Sequence, residues 1–258
     1  MVRKQIKNMF LNPKKFCIKS FNTINRLLLL FDCFVKYTKP TGPYTKFISL
    51  GQNCIPRTFF TNWGIKPTKA MGELSMPFDL MYGTNKNIIV NIFNNFRCFF
   101  EELCFNDDEK MFSHTDGRAH YNHDIDLCND AKKFKERYKN RINNFMNAIN
   151  TKENILFIYN DCYYGKSKEK YINCLFRLLK LKRKGLPFGL LVFDLECDKK
   201  LDCKKINKEI VVIREPFPYK EYIWYKEEHC NSKEGIEFMT KLKNKVIEYL
   251  DSCKNSNK

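Results

Sequence analysis

Three uninterrupted apolar runs constrain the fold more than any other feature of the sequence. Residues 154–159 (NILFIY), 188–195 (FGLLVFDL) and 210–213 (IVVI) lack the polar alternation of a half-solvated strand, so each reads as a strand buried on both faces. A basic amphipathic stretch separates the first two. It runs to Lys184 behind Ser167, a plausible N-cap. Short buried strands alternating with helices argue for an α/β fold of three layers, a mostly parallel sheet flanked by helices. Further helices are expected over residues 57–63, ended by Gly64, and over 87–100 and 233–252. In residues 131–150, Phe134, Tyr138, Ile142, Phe145, Met146 and Ile149 share one face of a helix. Residues 101–130 show no period and are expected to be irregular, although they hold His114, His120 and His123.

The first 45 residues differ from the rest. They mix Lys and Arg with apolar side chains at helical spacing and stop at the Pro/Gly/Thr segment 40–43, so the chain divides into a basic helical extension (1–45) and one α/β domain (46–258). The apolar part of the extension is interrupted by Asp32 and falls short of the ~20 residues a membrane span needs. Such a helix suits an anionic membrane surface, or else packs on the domain.

Charge and cysteine content bound the function classes. There are 46 Lys+Arg against 29 Asp+Glu, a net charge of +17, which attracts nucleic acid or anionic lipid without specificity. No nucleic-acid signature accompanies that charge, so a nucleic-acid partner is not expected. Twelve cysteines contain no C-x-x-C pair, so neither a metal nor a cofactor is expected. Without a cleavable leader the expected compartment is the cytoplasm, with a peripheral membrane contact through the extension, and most thiols should be free, small and buried. P-loop, GxGxxG and GxSxG patterns are absent.

Residues 46–58, KFISLGQNCIPRT, read as a buried strand, a glycine turn and a helix start with Pro56 in the first turn. Cys54 then sits at a helix N-terminus, where unpaired N–H groups and the helix dipole favour a thiolate, an oxyanion or a phosphate.

The order ISLGQNC, SMPFD, an H-D pair and ILFIY resembles a domain family of unknown function labelled papain-like cysteine peptidase. Its pattern is S-L-G-x-N-C, then P-F-D-W, then an F-x-H-D-type segment and a hydrophobic strand. Ser49, Leu50, Gly51, Asn53 and Cys54 match the first motif; Pro77, Phe78 and Asp79 the second; His123 and Asp124 the third. Leu80 stands where the family usually has Trp, and Tyr121 takes the aromatic place before His123. The likeness covers residues 46–230. It implies a thiol-dependent hydrolase acting on an amide or ester, with Cys54 as nucleophile and His123 as base. Asp79 or Asp124 would orient the histidine; Asp79 is preferred because neighbouring side chains often point apart. Gln52, Asn53 and the Cys54 N–H are the candidate oxyanion donors. Papain's own fold sets a helix-borne cysteine against a histidine on an antiparallel barrel. A parallel-sheet chain would share only the arrangement of side chains.

The same turn also suits a different chemistry. A Gly-Gln-Asn turn entering a helix at the carboxyl end of a strand is able to hold a phosphate or sugar hydroxyls. Asn160, Asp161 and the Arg214–Glu215 pair would flank it, and the protein would bind or modify a glycan or nucleotide-sugar. The substrate is therefore a peptide, an ester or a glycan.

Overall fold

Each buried strand of the central sheet contributes alternate side chains to two cores, one on either face. The architecture comes from a computed structural model, which describes residues 42–127, 130–161, 168–195, 204–207 and 209–255. The extension assigned to residues 1–45 lies almost wholly outside the described residues, as do the Ser167 cap and the membrane contact. Among the described residues no helix is long and apolar enough to cross a membrane.

The elements run in the order β1 (Lys46–Ser49), α1 (Ile55–Asn62), β2 (Tyr82–Gly83), α2 (Asn85–Phe93), β3 (Leu103–Asn106), β4 (Met111–His114), β5 (Ala119–Tyr121), α3 (Ala131–Ile149) and β6 (Ile155–Asn160). Then follow α4 (Lys168–Arg183), β7 (Phe188–Asp194), β8 (Lys204–Asn207), β9 (Ile210–Arg214), α5 (Glu227–Cys230) and α6 (Lys233–Asn255). The fold is α/β. A five-stranded sheet has the order β1-β6-β7-β9-β8, parallel except for the edge strand β8. A separate antiparallel sheet has the order β2-β5-β4-β3.

Register explains the layers. Phe47, Leu156 and Leu191 face α1 and α6, whose Phe59, Phe60, Phe238, Leu242 and Val246 complete that core. Ile48, Phe157 and Leu190 face the other way, onto Ile88 of α2, Phe134 to Phe145 of α3 and Leu175 to Leu179 of α4. The antiparallel sheet joins this second core through Phe112, Ala119 and Tyr121.

Two regions depart from expectation. The helix predicted over residues 87–100 ends at Phe93, and Asn95 and Phe96 take positive φ of 55° and 60°. Asn tolerates that conformation, and the turn drives the Phe96 ring onto Phe78 and Phe145. Residues 101–130, expected to be irregular, instead hold β3, β4 and β5. These strands have three or four residues each, too few for a period of two to register.

The cysteines also differ from expectation. Of the six described free cysteines only Cys54 is buried; Cys98, Cys104, Cys230 and Cys253 are half-buried and Cys174 is exposed.

Candidate active site

The turn after β1 is tight enough to require glycine. A Cβ on Gly51 would run into the Asn53 carbonyl oxygen and lie 2.9 Å from Pro56 Cδ, so the chain passes close to the start of α1 only because that atom is missing. Asn53 fixes the next step, its side-chain oxygen accepting from Ile55 N at 3.0 Å and from Asn160 Nδ2 at 3.1 Å. Cys54 becomes the N-cap of α1, with Pro56 in the first turn. The Gln52 carbonyl accepts from Gly83 N at 2.7 Å, which ties β2 to this turn.

Opposite Cys54, the antiparallel sheet delivers a histidine. Tyr121 at the end of β5 is fully buried among Phe99, Phe134 and Tyr138. Two residues on, exposed His123 reaches back, and its Nε2 lies 3.2 Å from Cys54 Sγ. This separation is inside the ~4 Å that thiol-to-imidazole proton transfer requires, allowing for loose apo geometry. Residues 69 apart in sequence therefore meet where the two sheets adjoin.

Asp124 explains how the histidine is held. Its carboxylate accepts from Arg137 Nη1 at 2.7 Å, Tyr138 OH at 2.8 Å and both Nη1 and Nη2 of Arg141 at 3.0 Å. Buried and saturated in this way, it locks its backbone, and with it the neighbouring His123, onto α3. It makes no hydrogen bond to the imidazole. Asp124 thus anchors the segment that carries His123 and does not orient its imidazole.

The orienting role expected of Asp79 has no contact to carry it. Asp79 is fully buried, accepts from Arg57 Nη1 and from Met76 N at 2.8 Å each, and lies 3.7 Å from Lys66 Nζ. The P-F-D motif therefore clamps α1: Phe78 fills the second core while Asp79 holds a guanidinium one helical turn from the thiol. Among the described residues no carboxylate bonds the second ring nitrogen of His123.

The remaining candidates separate in the same way. Asn53, Cys54, Asn122 and His123 line a cleft of about 630 Å³ with Met81, Tyr82, Glu109, Met111, His120, Trp224 and Tyr225. Gln52 and Asp161 are buried and do not line it; the Asp161 N–H extends the sheet bonding by donating to Phe193 O at 2.9 Å. Asn160 does reach the turn, as expected of a neighbouring strand. Arg214 and Glu215 do not, since two strands separate β9 from β1; they pair with Asp194 and Lys245. His114 is structural, bonded to Glu101 O at 2.9 Å and Tyr121 OH at 3.1 Å. His120 lines the cleft, its ring against Tyr82. The cleft aromatics Tyr82, Trp224 and Tyr225 carry no sequence signal that marks them.

Burial sets the resting charge state. It pushes the Cys54 thiol up, against smaller opposing effects from its own backbone N–H, the Thr58 side chain and Arg57. Burial also pulls the His123 imidazole down; nearby Asp124 opposes this, and Arg141 and Arg57 add to it. Both shifts favour a neutral thiol donating to a neutral imidazole over an ion pair. Cys54 caps the N-terminus of α1, the end of a helix whose N–H groups favour an anion.

No family model, curated protein or solved structure matches the chain in comparisons with known proteins.

Proposed function

We propose that the chain is a thiol-dependent hydrolase acting on an amide or ester, with Cys54 as nucleophile and His123 as general base. The observation that carries the reading is the 3.2 Å contact between Cys54 Sγ and His123 Nε2 in the lining of a cleft large enough for a substrate. His123 takes the thiol proton as sulfur attacks the carbonyl carbon, and the Cys54 N–H donates to the resulting oxyanion. Collapse expels the amine or alcohol, which takes the proton from the imidazolium and leaves a thioester on Cys54. Water attacks the thioester, His123 accepts its proton, and the acid departs as the thiol is restored.

A residue-mapped labelling experiment on the full chain tests this. A thiol-directed acylating probe should modify Cys54 ahead of exposed Cys174 and half-buried Cys104 despite the poorer exposure of Cys54, and His123→Ala should remove that preference. Labelling that simply follows exposure, Cys174 first, would overturn the reading.

The glycan or nucleotide-sugar reading retains one supporting observation, the aromatic wall of Tyr82, Trp224 and Tyr225, since sugar rings stack on such faces. It predicts that Cys54→Ser leaves ligand affinity unchanged.

A further inference from the structure

The charge of the cleft runs against the charge of the chain. The protein carries a net +17, yet no Lys or Arg is among the residues that line the cleft, whereas Glu109 is. Glu109 sits in the β3–β4 turn beside Asp107 and Asp108, with Lys110 the one cation of that turn. Its carboxylate forms no ion pair with any described residue, whereas Asp79 and Asp124 are each paired with cations.

The same cleft is also lined by aromatic rings. Tyr82 and Tyr225 are 54% and 70% exposed, unusual for large rings that could pack elsewhere, and Trp224 stands edge-on to Tyr225 with centroids 5.5 Å apart. Exposed aromatic faces next to an unneutralised carboxylate attract a cation through the ring quadrupole and the carboxylate together. Met81 and Met111 supply a polarisable apolar surface for the aliphatic stem of such a group.

Resting on the hydrolase reading for the position of the scissile bond, we propose that the cleft selects a peptide substrate with a lysine or arginine side chain next to the scissile carbonyl, and that Glu109 is the specificity-determining residue. The cation lies over Tyr82 or Tyr225 with Glu109 as its counter-ion, and its stem runs along the methionines toward Cys54.

Two measurements on the full chain test the proposal and separate it from the reading beneath it. The first compares the rates at which chloromethyl ketones of acetyl-arginine, acetyl-norleucine and acetyl-glutamate label Cys54. The arginine probe should react about tenfold faster than norleucine, with glutamate slowest. Glu109→Gln should remove most of that preference, and Glu109→Lys should favour glutamate. Equal rates for the three probes would overturn the specificity while the thiol chemistry stands. The second measurement uses Cys54→Ala, which cannot react. By calorimetry it should bind acetyl-arginine amide about tenfold more tightly than acetyl-norleucine amide, and equal affinities would overturn the proposal. If the binding preference appears although no probe labels Cys54, the cation site stands and the hydrolase reading falls.

Discussion

The two sheets are held together by different forces, and the candidate site joins one to the other. The parallel sheet is fixed by burial: every residue of β6 is buried, as are six of the seven in β7. The antiparallel sheet has strands of two to four residues, and side-chain chemistry holds it in place. An aromatic cluster links Phe99, Tyr121, Phe134 and Tyr138, and a saturated buried carboxylate, Asp124, binds it to α3. Cys54 therefore rides on the half set by non-directional burial, and His123 rides on the half set by directional bonds. Directional bonds place an atom more sharply but fail more abruptly when one partner is lost.

The largest expected effect comes from removing the base. His123→Ala should slow the reaction of Cys54 with an acylating probe by about 10²–10⁴-fold while leaving the denaturation midpoint nearly unchanged, because the residue as a whole is exposed and its ring is only partly desolvated. A loss below about threefold would show that the antiparallel half contributes no base. Asp124→Ala comes next. It strands the buried Arg141 guanidinium and Tyr138 hydroxyl, while Arg137 keeps its paired bonds to Asp126, and should cost about 3–5 kcal/mol in urea unfolding. Gly51→Ala tests the other half through backbone geometry: forcing a Cβ against the Asn53 carbonyl and Pro56 should cost about 1–3 kcal/mol and lower Cys54 labelling as the thiol moves. Thr84→Ala removes the hydroxyl that accepts from Asn87 N at 3.2 Å at the start of α2 and should cost only about 1 kcal/mol.

Acidity sharpens the comparison. Burial lowers the His123 pKa, so the imidazole stays neutral, and competent as a base, at a lower pH than an ordinary histidine. The acid limb of a labelling-rate profile should therefore fall below about pH 6.5. Burial raises the Cys54 pKa, so in His123→Ala the remaining reactivity should climb with pH and reach half its plateau above the usual cysteine value of about 8.5. A wild-type limb above pH 7 would instead indicate a stabilised imidazolium.

The parallel half was largely legible in the sequence because its signal is a run of apolar residues. NILFIY, FGLLVFDL and IVVI became β6, β7 and β9 with ends shifted by one residue. The antiparallel half was not, because three-residue strands leave no period and Asp124 and Tyr138 become partners only once the fold is formed. The site was legible in part for the same reason. Cys54 and His123 could be named from local patterns and the family resemblance, and they lie in contact. Asp79 was given the wrong partner because nothing in P-F-D reveals that Arg57, one turn beyond the cysteine, would claim its carboxylate. Glu109 and the cleft aromatics carry no local signal, since what marks them is the missing countercharge around them.

The pairing of β1 with β6, Lys46 opposite Ile155, has a consequence for the order in which the molecule assembles. β1 is synthesised before its hydrogen-bonding partner β6, which follows the whole antiparallel sheet and α3. Closing so long a loop is entropically slow, so β1 should be among the last strands to gain protection in pulse-labelled hydrogen exchange, after the amides of β6 and β7. Early protection of β1 would contradict this order. Cys54 follows that strand directly, so its contact with His123 should form only when assembly is nearly complete.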